Sequence, residues 1–299
     1  MHNLKGSLLM VAAMAGFAIE DALIKFLAAQ IPAGQIMVII GLGGAACFGL
    51  IAARRGLRLW HPAALQGAVL LRNLSEMLGA ATVVMAIVLV PLAVVTAILQ
   101  AMPLAVTLGA ALFLGEPVGW RRWLAIGIGF AGVLLILRPG AASFDPAALL
   151  AVVAVLALSA RDLATRRVPA QVHSLLLSGW GFLAVVPGGL MLMALGRQAP
   201  IMPDGVQWAW LLLALLAGIL AYGALVSATR LGDIAVTTPF RYSRLVFAMA
   251  IGAVFFGERP DGWTLAGSAL IVGAGLYTLW RQIALGRAQA AARRREAAQ

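Results

Sequence analysis

Of 299 residues, 63% are hydrophobic and only 11% charged, and the mean hydropathy is +0.98. A soluble domain carries about 25% charged residues to cover its surface, so a water-soluble globule is excluded and an all-α integral membrane protein is expected. The net charge of +11 does not point to nucleic acid, because a basic binding face also needs exposed polar neighbours and none is visible. Cys47 is the only cysteine, which excludes an intrachain disulfide or a cysteine-based metal site.

Apolar runs of about 20 residues suit a bilayer crossing. They predict ten transmembrane helices, over 5–28, 34–53, 64–88, 91–113, 120–137, 147–166, 173–195, 207–229, 234–256 and 263–281. The first run follows Lys5 as in a signal peptide but extends toward Phe26 and is followed by further spans, so it reads as a retained helix. Gly, Pro and charge separate the runs, as in "GEPVG", "RPGAASFDP" and "GERPDG". Arg54, Arg55, Arg58, Arg121, Arg122, Arg166, Arg167, Arg230, Arg281, Arg287 and Arg293 to Arg295 fall on one side, whereas Arg138, Arg197 and Arg259 fall on the other. Positive residues are retained in the cytoplasm during insertion, which predicts both termini there. Residues 283–299 read as a basic cytoplasmic tail, whose end "RRREAAQ" is expected to be disordered and drawn to lipid headgroups.

Charge within the spans needs a reason, since it costs about 2.5 to 3.5 kcal/mol at a helix centre on insertion scales. In the first helix Asp21 can pair with Lys25 at i+4, leaving Glu20 without a local partner. In the third, Arg72 and Glu76 share a face and can neutralise each other, with Gly79 leaving room beside Glu76. The stretch reads as the charged wall of a cavity or as a structural ion pair between helices. In the fourth, Thr96, Gln100, Pro103 and Thr107 line one face, and Pro103 frees a backbone carbonyl. In the sixth, Arg161, Asp162 and Arg166 suggest an interfacial ion-pair network. The ninth carries Arg241 and Arg244, suited either to a bidentate carboxylate contact or to snorkelling toward headgroups.

Several motifs reduce to structure. "GIGFAG" at 127–132 matches a dinucleotide fingerprint but has no preceding strand, so close helix packing is the better reading. The sequon at Asn73 lies inside a span. His2, His61 and His173 are too scattered for a metal cluster, and no Walker A motif appears. No cofactor, metal or catalytic constellation is expected, and the chain is not read as an enzyme. The "GE" pairs ending at Glu116 and Glu258 are expected to satisfy backbone donors at the start of the following helix.

The halves are self-similar. "AIVLVPLAVVT" from Ala86 aligns with "ATRLGDIAVTT" from Ala228, and "ALFLGE" ending at Glu116 aligns with "AVFFGE" ending at Glu258, both 142 residues apart. Five helices per copy force the second copy to insert upside down, giving two inverted five-helix repeats, a plan recurrent in secondary transporters. The first repeat covers 1–140 and the second 141–282. The offset sets Thr238 opposite Thr96 and Tyr242 opposite Gln100.

The segments "PLAVVTAILQAMPLAVTLGAALFLGEPVGWRRWLAIGIGFAGVLLILRPG" and "PFRYSRLVFAMAIGAVFFGERPDGWTLAGSALIVGAGLYTLW" resemble the ends of two EamA repeats of the drug/metabolite transporter superfamily. That resemblance implies a basket of helices 1 to 4 and 6 to 9, with helices 5 and 10 outside, and a ten-helix exporter of small metabolites in a bacterial inner membrane, the YddG type exporting aromatic amino acids among them. The first repeat carries Gly16-Phe17 where the family has Trp-Gly. The leading functional expectation is alternating-access export of amino acids. Glu20 or Glu76 would take the ammonium, Arg72, Arg241, Gln100 or Tyr242 the carboxylate, and Trp180, Tyr222, Tyr242 and Phe240 the side chain. Proton coupling through Glu20 or Glu76 and passive facilitation stand side by side. Export of drugs or lipophilic cations is the alternative, with an intramembrane lipid enzyme a remote one. The partners are a small-molecule substrate and the lipid bilayer, and the oligomeric state is left open.

Overall fold

A computed structural model describes residues 2–60, 62–116, 118–169, 171–231 and 234–296. His61 and the side chains of His2, Arg230, Arg287 and Arg293 to Arg295 lie outside the described set. Ten helices are long and apolar enough to cross a membrane: α1 (Leu4–Leu27), α2 (Ala33–Arg54), α3 (Gly67–Leu89), α4 (Leu92–Phe113), α5 (Trp120–Leu137), α6 (Pro146–Thr165), α7 (Ser174–Leu195), α8 (Gly205–Ala228), α9 (Thr238–Phe256) and α10 (Gly262–Arg281). No strand occurs among the described residues. Short connections make successive spans antiparallel. The side on which α1 begins is called the near side below, and the other the far side.

The pairing of helices follows from the duplication. The α1 helix packs on α8, α3 on α6, α2 on α7 and α5 on α10. Exchanging the two halves maps this set onto itself, as a two-fold axis in the membrane plane requires. Helices α2 and α7 approach closely where Gly34 and Gly189 bring backbone against backbone; a Cβ on either would collide with the other's carbonyl.

Two spans are interrupted, at equivalent places. Helix α4 consists of Leu92–Leu99 and Met102–Phe113, and α9 begins as a 3-10 turn, Thr238–Tyr242, before Ser243–Phe256. Gln100 caps the first half of α4, and its counterpart Tyr242 ends the turn in α9. Pro103 therefore does not kink a continuous helix. It lies in the first turn of the second segment, where a missing N–H costs little.

The apolar core is concentrated on the far side. One cluster joins the end of α3, the start of α4, the end of α5 and the start of α6 through Ile87, Val90, Val95, Ile98, Ile136 and Val155. A second joins α1, α2, α3 and α8 through Leu27, Ile36, Met37, Ala81 and Leu211. The smaller cluster of Met10, Ala13, Met14 and Ala228 is the near-side contact between α1 and α8. Beyond α10 the backbone remains helical as far as Glu296. The expected disorder of the tail is corrected for those residues: "QAAARR" consists of good helix formers, and nothing in it breaks the ladder.

Candidate functional site

Eight charges in and beside the spans form two balanced groups. In the first, Glu76 of α3 accepts from Arg72 at 3.1 Å and from Arg161 of α6 at 3.1 Å, while Arg161 also pairs with Asp162 at 2.8 Å. Arg72 further donates to Asn73 at 2.9 Å, and its guanidinium lies against Gly181 of α7, where any Cβ would displace it. Each buried charge thus has a counter-ion, which offsets its desolvation. The i, i+4 pair forms as its spacing suggests, but it is part of a chain joining α3 to α6. The room expected at Gly79 is filled by Leu158. Arg166 stands apart from this group and pairs with Glu116 at 2.9 Å.

The second group corrects the reading of α1. Asp21 and Lys25 do not pair with each other. Asp21 pairs with Arg244 of α9 at 2.6 Å, and Arg244 also covers the Phe17 ring at 5.4 Å. Lys25 pairs with Glu258 at 3.1 Å and donates to the carbonyls of Ile87 and Val90 at 3.0 and 2.7 Å. A pair along one helix contributes a few tenths of a kcal/mol, whereas Lys25 here satisfies orphan carbonyls at the end of α3 as well as a carboxylate. Glu258 also accepts from the backbone N–H groups of Leu92 and Ala93 at 2.9 and 3.3 Å. It therefore caps α4 rather than the helix that follows it; Asp261 caps α10, accepting from the Thr264 N–H at 2.8 Å.

Glu20 and Arg241 stand outside both groups. Glu20 makes no hydrogen bond or ion pair among the described residues and is partly accessible, with its carboxylate against Gly218 of α8. Among the described residues the Arg241 side chain makes no hydrogen bond or ion pair, and the residue is exposed. Asp162, Arg161 and Arg244 all lie within electrostatic reach of Arg241. Gln100 donates to the Arg241 carbonyl at 3.4 Å, so the breaks in α4 and α9 meet. In transporters of this plan, interrupted helices border the substrate site.

The aromatic residues divide. Tyr222 accepts from Ser178 at 2.8 Å and meets Phe48 edge-on at 5.5 Å, and Phe48 stacks on Phe182 at 5.6 Å. Trp180 instead donates from its indole N–H to the Leu59 carbonyl at 3.3 Å, holding the α2–α3 connection. Tyr242 packs its ring against Gly275 of α10, and Thr96 is buried in the core rather than on a cavity wall. Phe48 and Phe182, which the sequence did not single out, stand beside Tyr222, whereas Arg161 and Arg244 hold the carboxylates of Glu76 and Asp21. An outer groove of about 420 Å³ between α5 and α10, lined by Trp120, Leu124, Ile128, Leu270 and Tyr277, is apolar and lies outside the basket.

Comparison with known families matches the model described as "EamA-like transporter family" over residues 4–138 and 145–280. The chain belongs to the EamA-like transporter family. A riboflavin transporter from Rhizobium johnstonii is 34% identical over 68% of this chain and 66% of its own length. An S-adenosylmethionine uptake transporter from Rickettsia felis is 26% identical over 71% of each chain. A pseudopaline exporter from Pseudomonas aeruginosa is 28% identical over 89% of this chain and 93% of its own. The chain thus spans about two thirds of the length of the riboflavin transporter and nearly all of the exporter. A protein of known crystal structure superposes on this EamA-like transporter with a TM-score of 0.59, covering 93% of it and 98% of that chain at 21% identity, a likeness of fold alone.

Proposed function

We propose that this EamA-like transporter exports small zwitterionic metabolites, foremost amino acids, by alternating access across a bacterial inner membrane, with the near side facing the cytoplasm. The observation that carries the reading is that Glu20 and Arg241 have no side-chain partner among the described residues, whereas Asp21, Glu76 and Asp162 are each held by an arginine. Glu20 supplies an acceptor for an ammonium, and Arg241 supplies a donor for a carboxylate. Gln100, at the break beside Arg241, stands within reach of the same bound group. The arginine-rich loops support the orientation. S-adenosylmethionine, named for one set of relatives, carries an amino-acid head of this kind. Glu76 is held by two arginines, so of the two carboxylates considered for proton coupling, Glu20 is the one free to exchange a proton.

The decisive experiment is counterflow in proteoliposomes with labelled amino acids, with and without a pH gradient. Accumulation of at least one amino acid supports the reading, and acceleration by the gradient adds proton coupling. Failure of every amino acid to move overturns it. A second reading, transport of a flat heteroaromatic metabolite, is favoured by the Phe48–Phe182 stack with Tyr222 beside it and by the riboflavin transporter among the relatives. Riboflavin in the same panel separates the two.

A further inference from the structure

The two inverted repeats occupy different environments. At the start of α4, Ile98 and Leu99 are 1% and 6% exposed. Their counterparts 142 residues on, at the start of α9, are Phe240, which is 40% exposed, and the accessible Arg241. The far side is latched where Glu258 caps α4 and holds Lys25, which in turn holds the end of α3. The equivalents of Glu258 and Lys25 are Glu116 and Arg167. Glu116 pairs with Arg166, and Arg167 donates to the Phe113 carbonyl at 3.0 Å, both in exposed surroundings. The far-side ends of α3, α4 and α9 are thus tied together and buried, whereas the equivalent near-side residues are exposed.

Alternating access exchanges the two environments. When the near side closes, the start of α9 takes the burial that the start of α4 has here. At the position of the buried Leu99 it brings a guanidinium. Asp162, the carboxylate that acts electrostatically on Arg241, is already paired with Arg161. An unpaired charge in a closed apolar mouth is strongly disfavoured, whereas a charge buried with its counter-ion is tolerated.

We infer that Arg241 makes near-side closure conditional on an anionic group of the bound substrate, so that the empty carrier rests open to the near side and substrates lacking a carboxylate or similar anion are not carried. The inference rests on the proposed substrate reading for its ligand but not for its conformational part. A ligand can shift an equilibrium only by its differential affinity for the two states, and here that difference is the ion pair formed on closing.

The test uses the full chain with Cys47→Ser and spin labels at Phe113→Cys and Leu231→Cys across the near mouth, or at their counterparts Phe255→Cys and Leu89→Cys across the far mouth. Without any substrate, Arg241→Leu is expected to shorten the near distance and lengthen the far one relative to Arg241, and Arg241→Lys to leave both unchanged. Identical distributions for the empty Arg241 and Arg241→Leu proteins overturn the inference whatever the substrate is. Arg241→Met, checked for the same melting temperature as its parent, replaces a leucine variant that does not fold. With a transported amino acid the parent closes its near mouth, whereas the corresponding amino amide leaves it open and gives at least tenfold less counterflow. Equal closure by acid and amide overturns the inference, and closure by neither ligand class in a protein whose empty variants differ overturns the substrate reading instead.

Discussion

Glu116 and Glu258 stand at the same place in the two repeats and hold different partners. Glu258 caps the first backbone N–H groups of α4 and binds Lys25, whereas Glu116 reaches Arg166 at the end of α6. What differs is the setting: Glu258 is mostly buried against helix-terminal donors and a cation, whereas Glu116 is exposed and meets a cation alone. The turns also differ locally, since "GERPDG" carries Asp261, which caps α10, and "GEPVG" has no such acid.

The Lys25–Glu258 pair is mostly buried, at 15% and 9% side-chain exposure. Removing either partner leaves a buried charge or unfilled helix-terminal groups, a loss of about 3 kcal/mol. Lys25→Met and Glu258→Gln are each expected to lower stability to unfolding in detergent by that order, and the double variant to lose less than their sum. Single variants within about 0.5 kcal/mol of the parent would remove the latch as a stabilising element.

Much of this arrangement is written locally. Apolar runs of bilayer length give the ten spans, the offset between Glu116 and Glu258 gives the inverted repeat, and Arg72–Glu76 is a neighbour relation along one helix. The rest depends on contacts at long separation. Arg244 finds Asp21 from 223 residues away, and Arg161 finds Glu76 from 85. Reading α1 alone made Asp21 and Lys25 partners because their competitors lie on other helices. Nor do two similar halves say which one is buried, because burial depends on how other helices pack against them.

Glu20 has no partner to lose. Glu20→Gln is expected to leave the melting temperature unchanged or raise it, since an unpaired acid bordering apolar helices is itself a cost. Affinity for ammonium-bearing substrates should fall about tenfold to a hundredfold, the worth of one charged hydrogen bond of about 1.5 to 3 kcal/mol. Calorimetric titration of purified protein with the transported amino acid reads this directly. Equal affinity in both proteins would exclude Glu20 from the ammonium site.

Gly34 and Gly127 give opposite expectations for the same substitution. A Cβ at Gly34 would strike the Gly189 carbonyl and the Met193 backbone, whereas one at Gly127 meets nothing within 4 Å. Gly34→Ala should destabilise by about 1 to 3 kcal/mol through separation of α2 from α7. Gly127→Ala should stabilise by up to about 1 kcal/mol, as alanine does inside a helix. Similar melting shifts for the two would contradict the α2–α7 approach.

Asp261, on the far side outside the spans, ties the start of α10 to the end of α5. Hydrogen bonds from Thr264, then the Arg138 guanidinium at 2.7 Å, hold its carboxyl below the ordinary value of 3.8. A carboxyl depressed in the folded state contributes stability above its unfolded pKa and loses it as pH falls through the folded one. The contribution is therefore complete above about pH 5 and fades below about pH 4. Asp261 is 41% exposed, so solvent and salt screen the ion pair and the effect is small. Melting curves of the parent and Asp261→Ala between pH 3 and 7 should show a gap that is constant above pH 5 and narrows below pH 4. A gap that persists undiminished at pH 3 would mean that the carboxylate's charge contributes nothing and that only its packing was lost.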